Sequence, residues 1–151
     1  MQNIVKCTHK NLIDWLNLRK ALWPESSETK HLKEISEIIE SQHHAAFMFK
    51  VREGEYVSLI ELSLRFDYVN GCETSPVAFL EGIYTTSSHR QQGIANMLIS
   101  HACLWAKEHN CQEIASDTHI SNLVSQKLHH FLTLPMSSLN AIRSTAMHQM
   151  G

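Results

Sequence analysis

Pro76-Val77-Ala78-Phe79-Leu80-Glu81-Gly82-Ile83-Tyr84-Thr85, followed by Ser88-His89-Arg90-Gln91-Gln92-Gly93-Ile94-Ala95-Asn96-Met97-Leu98-Ile99, is the stretch that decides the fold. Its first half is an apolar run of strand formers. A polar turn carrying Arg90, Gly93 and Ala95 follows. A helical pattern then opens, with Ile94, Met97, Leu98 and Ile99 on one side. Strand, glycine loop and helix start, in that order, make an anion cradle. The first amides of a helix have no intrahelical partner, and the helix dipole adds partial positive charge beside them. Gly93 lets the backbone approach a phosphate with no Cβ in the way. The spacing Arg-x-x-Gly-x-Ala has neither the three glycines of a dinucleotide fingerprint nor the Gly-Lys-Ser/Thr of a Walker loop.

Outward from this stretch the chain reads as mixed α/β. Ile4-Val5 and Cys7 suggest a short strand. Thr8 is placed to cap a helix carrying Leu12, Trp15, Leu16 and Leu22, which Pro24 ends at Trp23. Ser26 or Ser27 caps a second helix through Ile39. Ala45–Val51 and Tyr56–Phe66, joined by Glu53-Gly54-Glu55, read as a β-hairpin. In its second strand Leu62, Leu64 and Phe66 alternate with Glu61, Ser63 and Arg65. Asp67–Pro76 is a loop, the helix after Gly93 runs to about His109, and Cys111–Asp117 is a short strand ending in an acid. Asn122 begins the last clear helix, which continues through Phe131.

Two carboxylates stand out. Glu81 interrupts an apolar strand, where an unpaired buried carboxylate costs several kcal/mol, so it either has a partner or faces a wet cleft. Asp117 ends the next strand, where open α/β sheets place their sites, or it caps the following helix. If the two strands are neighbours, both acids face one pocket suited to a polyamine or amino sugar, and one could take a proton from an ammonium group. Trp23, between two helices, is either core or the lip of that cleft.

Length and composition bound the function. One domain of 151 residues, 43% hydrophobic and 19% charged, has enough length for a real core. Net charge is −2 and no basic stripe is present, which disfavours nucleic acid. No apolar run approaches the roughly 20 residues of a membrane span, and Met1–Lys6 has no signal-peptide character, so a cytoplasmic location is expected. The four cysteines lack paired spacing and read as reduced structural thiols. Eleven histidines, including the adjacent pairs His43-His44 and His129-His130, lack the spacing of a helical ligand pair, and no metal site is expected.

The loop spacing resembles the acetyl-coenzyme A loop of the GCN5-related N-acetyltransferases. Trp23-Pro24, the Asp67–Pro76 run, Phe79-Leu80-Glu81-Gly82-Ile83-Tyr84 and Ala115-Ser116-Asp117 resemble, more narrowly, the aminoglycoside 6'-N-acetyltransferases of that superfamily. The resemblance covers about residues 4 to 131. It implies an α/β fold of the GCN5-related type, a mixed central sheet flanked by helices. It implies acetyl-CoA as co-substrate, with Ile83, Tyr84 and Thr85 on its pantetheine arm, Arg90, Gln91, Gln92, Gly93, Ile94, Ala95 and Asn96 on its pyrophosphate, and Asn122 near its sulfur. One strand N–H would polarise the thioester carbonyl. Trp23, Ser26, Tyr68, Glu81 and Asp117 would line the aminoglycoside cleft, with Glu81 and Asp117 as the catalytic carboxylates. Relatives of this kind are commonly homodimers.

After Leu132 the chain departs from the family. Pro135 breaks any helix, and Leu139, Ile142 and Ala146 fit at best a short one. The division expected is an acetyltransferase domain over 1–132 and an atypical tail over 133–151, with the C-terminal strands atypical or missing. A changed reading frame or a fused segment accounts for such an ending. Two rival readings go with it: a transferase for another amine, and an inactive product that at most binds coenzyme A.

Overall fold

The computed structural model describes residues 3–67, 69–117 and 121–133. Five strands form one sheet in the order β1-β2-β3-β4-β5. They are β1 (Asn3–Lys6), β2 (His44–Lys50), β3 (Tyr56–Arg65), β4 (Val77–Thr85) and β5 (Ile114–Ser116). The first four pair antiparallel, and β5 joins β4 in parallel. A parallel neighbour needs a crossover, which α3 (Ile94–Glu108) supplies. α1 (Leu12–Leu22) and α2 (Glu28–Glu40) precede β2, and α4 (Ser121–Thr133) follows β5.

Both faces of the sheet are covered. Phe47, Ile60, Leu62, Ala78 and Leu80 pack on α3 and α4 through Leu98, Ala102 and Leu128. Ala46, Met48 and Leu59 pack on α1 and α2 through Trp15, Leu18 and Ile35. This double burial is why β2 reads as a continuous apolar run rather than an alternating one.

Local chemistry sets the element ends. Thr8 caps a 3-10 turn (His9–Asn11) that feeds α1, and its hydroxyl accepts from Lys10 N–H. Ser27, not Ser26, caps α2, accepting from Lys30 N–H at 3.1 Å. Phe66 lies beyond β3 and is 53% exposed, its ring edge-on to His43, so the alternation expected to bury it stops at Leu64. The 67–76 loop is tied to the start of β5. Glu113 Oε1 accepts from Glu73 N–H at 2.8 Å, from Thr74 N–H at 2.6 Å and from the Thr74 hydroxyl.

The four cysteines are free; Cys7, Cys103 and Cys111 are buried. Among the described residues no helix is long and apolar enough to cross a membrane. α4 runs one residue past the expected boundary at Leu132. The expectations for the tail concern residues that, from 134 on, lie outside the described ones.

Candidate active site

The site begins with an irregularity in β4. Leu62 of β3 pairs with Leu80 and Glu61 with Gly82, so Glu81 is an extra residue opposite Glu61. Such a bulge bends the strand and re-aims side chains. Glu81 turns toward the α1–α2 side, onto the face that carries Glu61, Ser63 and Arg65. Its Oε2 accepts from Ser63 Oγ at 2.5 Å and from Arg65 Nη2 at 3.0 Å. Among the described residues Oε1 has no such partner. Arg65 is itself held over the Phe79 ring, 3.5 Å from its centroid.

Glu81 thus satisfies both alternatives left open by the sequence. It has an ion-pair partner, and it lines a cavity of about 390 Å³. Trp23 and Ser26 form one wall of this cavity, and Glu34 and Glu37 of α2 another. Trp23 follows the last residue of α1, and its indole lies against Gly82. A Cβ on Gly82 would stand 2.5 Å from Trp23 Cζ2, so only glycine fits beneath the ring.

The floor of the cavity is charged and buried. Glu61 is 2% exposed and Arg19 3% exposed. Arg19 donates from Nε to Glu61 Oε2 at 2.7 Å and from Nη2 to Oε1 at 3.1 Å, while Trp15 Nε1 donates to Oε2 at 2.8 Å. This paired, bidentate geometry is what allows two charges to leave water.

The bulge also changes which backbone groups face outward. Upstream, Ala78 N–H donates to Glu113 O on the β5 side. Downstream, Thr86 N–H donates to Val57 O, and Tyr84 O accepts from Ser58 Oγ at 2.7 Å, both on the β3 side. Even-numbered residues therefore face β5 before the bulge and β3 after it. By alternation the backbone groups of Ile83 and Thr85 turn to the β5 side. The β4–β5 ladder ends at Leu80 and Ser116, so among the described residues β4 leaves an open edge beyond it.

That edge and the loop after it line a second cavity, of about 440 Å³. Gly93 caps α3 with φ of 80°, and Gln91 has φ of 65°. Left-handed residues close together turn successive amides inward and form an anion nest. Among the described residues no side chain caps α3, and its N-cap, Gly93, has none to offer the amides of the first turn. Nothing lies within 4 Å of a Cβ built on Gly93, so its glycine is needed for the backbone angle, and the space beside it is open. Arg90 folds back to donate from Nε to Thr85 O at 2.9 Å.

The sequence-derived residues divide as follows. Ile83, Tyr84, Thr85, Arg90, Gln91, Gly93, Ile94, Ala95 and Asn96 line the second cavity. Gln92 is exposed in the same loop and does not line it. Trp23, Ser26 and Glu81 line the first cavity; Asp117 does not. Asp117 is exposed and directly follows Ser116, the partner of Leu80 and the last residue of the β4–β5 ladder. Tyr68 and the side chain of Asn122 lie outside the described residues. Sequence reading missed Lys30, Glu34 and Glu37, although their i, i+4, i+7 spacing puts them on one face of α2. It also missed Arg19 and Glu61 in the floor, and His89 and Ile99 in the second cavity.

Known proteins resemble this chain in sequence and in fold. Residues 12–132 match the acetyltransferase (GNAT) family. Aminoglycoside N(6')-acetyltransferase type 1 of Serratia marcescens is 56% identical over 126 residues, 83% of this chain and 86% of the relative. The enzyme of the same name from Acinetobacter haemolyticus is 42% identical, over 86% of this chain and 88% of its own. Among solved structures, AAC(6')-Iy in complex with the bisubstrate analog CoA-S-monomethyl-acetylneamine superposes with a TM-score of 0.76 at 39% identity, covering 89% of this chain and 91% of that one. The apo 6'-N-acetyltransferase AAC(6')-IG from Acinetobacter haemolyticus gives 0.73 at 41% identity, over 88% and 90%. A family match over residues 12–132 and relatives up to 56% identical over most of both chains, on this sheet, mean that the chain belongs to the acetyltransferase (GNAT) family and, within it, to the aminoglycoside 6'-N-acetyltransferases.

Proposed function

We propose that this chain transfers an acetyl group from acetyl-CoA to the 6'-amine of aminoglycoside antibiotics, the activity that confers resistance. One observation carries the reading: both cavities are lined from β4, one by Glu81 and the other by Ile83, two residues apart. Two strand residues span about 7 Å. An amine held at Glu81 is then within reach of a thioester laid along the open edge.

In this reading the Gly93 loop and the first turn of α3 hold the pyrophosphate. The pantetheine arm pairs with Ile83 and Thr85 as an added strand would. Tyr84 contributes its ring rather than its backbone, which β3 already engages. A free N–H of this edge donates to the thioester oxygen as charge develops on it. The drug enters the cleft beneath Trp23, and its ammonium groups meet Glu81, Glu34 and Glu37. The amine nitrogen attacks the thioester carbon, the C–S bond breaks, and the sulfur leaves with the electron pair. The amine's proton passes to a carboxylate, Glu81 or Asp117, directly or through water, and no covalent enzyme intermediate is required.

The test is the identity of the product. Incubation with acetyl-CoA and kanamycin should add a single acetyl group by mass, and nuclear magnetic resonance should place it on the 6' nitrogen. An acetyl at another amine, or none, would reject the assignment.

A further inference from the structure

Beneath the cleft lies a histidine that the chemistry above does not use. His31, on α2, is 0% exposed and touches both the charged floor and the lip. Its Nδ1 is 3.2 Å from Arg19 Nη1, and its Nε2 is 3.1 Å from the Trp23 carbonyl oxygen. A guanidinium can only donate, so Nδ1 accepts and Nε2–H donates to Trp23 O. Arg19 is fixed in turn by Glu61, the β3 residue opposite the bulge. The same guanidinium lies 4.9 Å from the Trp23 ring centroid. Trp23 is therefore held by its carbonyl through His31, on its ring by Arg19, and against Gly82.

Resting on the function proposed above, we infer that His31 is a positioning residue for the antibiotic: it fixes the backbone of Trp23 at the end of α1 and so sets the shape of the cleft, without touching the drug. Full burial keeps His31 out of contact with substrate. It lines neither cavity, and Trp23, which it holds, lines the first and not the second, so its influence should fall on one substrate only. The role needs one acceptor and one donor on the same side chain. Glutamine offers both, and methionine neither.

The experiment compares His31→Gln and His31→Met with the unaltered chain. Methionine should raise the KM for kanamycin by about tenfold, the scale of one lost hydrogen bond, and leave the KM for acetyl-CoA within about twofold. Glutamine should restore most of the loss. In a Trp23→Ala background His31→Met should add little, because residues acting through one another are not additive. Equal rises in both KM values, or full additivity with Trp23→Ala, would overturn the inference. A second readout needs no turnover. Trp15 and Trp105 are buried while Trp23 is partly exposed, so acrylamide quenching of the native protein reports mainly on Trp23. Quenching should change in His31→Met and not in His31→Gln; identical quenching in both would also overturn it. If the unaltered chain fails to acetylate the drug, the function fails on its own, and quenching still decides the role of His31.

Discussion

The indole of Trp23 lies on the backbone of Gly82, with room for no side chain between them. This contact joins the end of α1 to the bulged strand, and it places an aromatic lip beside the carboxylate of Glu81. Gly82→Ala should push the ring away. Overpacking of this kind costs roughly 1–3 kcal/mol. Chemical denaturation should show that loss, and kinetics should show a higher KM for the antibiotic with little change for acetyl-CoA. An alanine variant with unaltered drug affinity would mean that Trp23 does not shape the cleft.

The ion pair between Arg65 and Glu81 has side chains 44% and 33% exposed. Pairs this exposed contribute about 0–1 kcal/mol, so Arg65→Met should leave the denaturation midpoint nearly unchanged. Glu81→Gln removes the charge to which the proposed function assigns the amine's proton, and should lower kcat/KM for the drug by roughly 10²–10⁴-fold. A large stability loss in Arg65→Met, with activity preserved in Glu81→Gln, would show that the pair is structural only.

The thiols predict a labelling pattern. Burial pushes Cys103 up to about 12 and Cys111 to about 11, and burial is the main cause that holds Cys7 well above the ordinary thiol value. Cys72 is raised too, by burial and by Glu113, but it is partly exposed. At pH 8 a disulfide reagent should modify at most Cys72 in the native chain, and all four cysteines after denaturation. Rapid native labelling of Cys103 or Cys111 would contradict the packing around them.

Glu113 predicts a pH effect. The Thr74 hydroxyl bond is the main cause that holds its carboxyl below the usual range, with the Thr74 and Glu73 amides adding and burial opposing. A depressed folded value stabilises above the unfolded value and is lost as pH falls through the folded one. The thermal-stability difference between the unaltered chain and Glu113→Gln should therefore be constant from pH 7 to 5 and shrink below about pH 4.5. A difference that stays level into acid would place the effect elsewhere.

Much of this architecture was legible because it rests on local chemistry. The hairpin, the strand–loop–helix unit at Gly93 and the caps at Thr8 and Ser27 follow from period, turn residues and capping groups. Glu81 was legible as an anomaly, a charge in an apolar strand. Its bulge was not, because register is a property of two strands and Glu61 is distant in sequence. Arg19, Glu61 and His31 were illegible for the same reason. Arg19 and His31 occupy polar-looking helix positions, Glu61 sits in an alternating strand, and only packing shows that all three are buried. Asp117 likewise follows the short strand that pairs with β4 but is not among the residues lining the cleft, which spacing alone does not give.

The most direct test is the rate of thiol release from acetyl-CoA by the purified full chain, with and without kanamycin, in the unaltered protein and in Glu81→Gln. Release that depends on the drug and falls at least roughly a hundredfold in the variant is the predicted result. Release independent of the drug, or equal in both proteins, would contradict an aminoglycoside site built around Glu81.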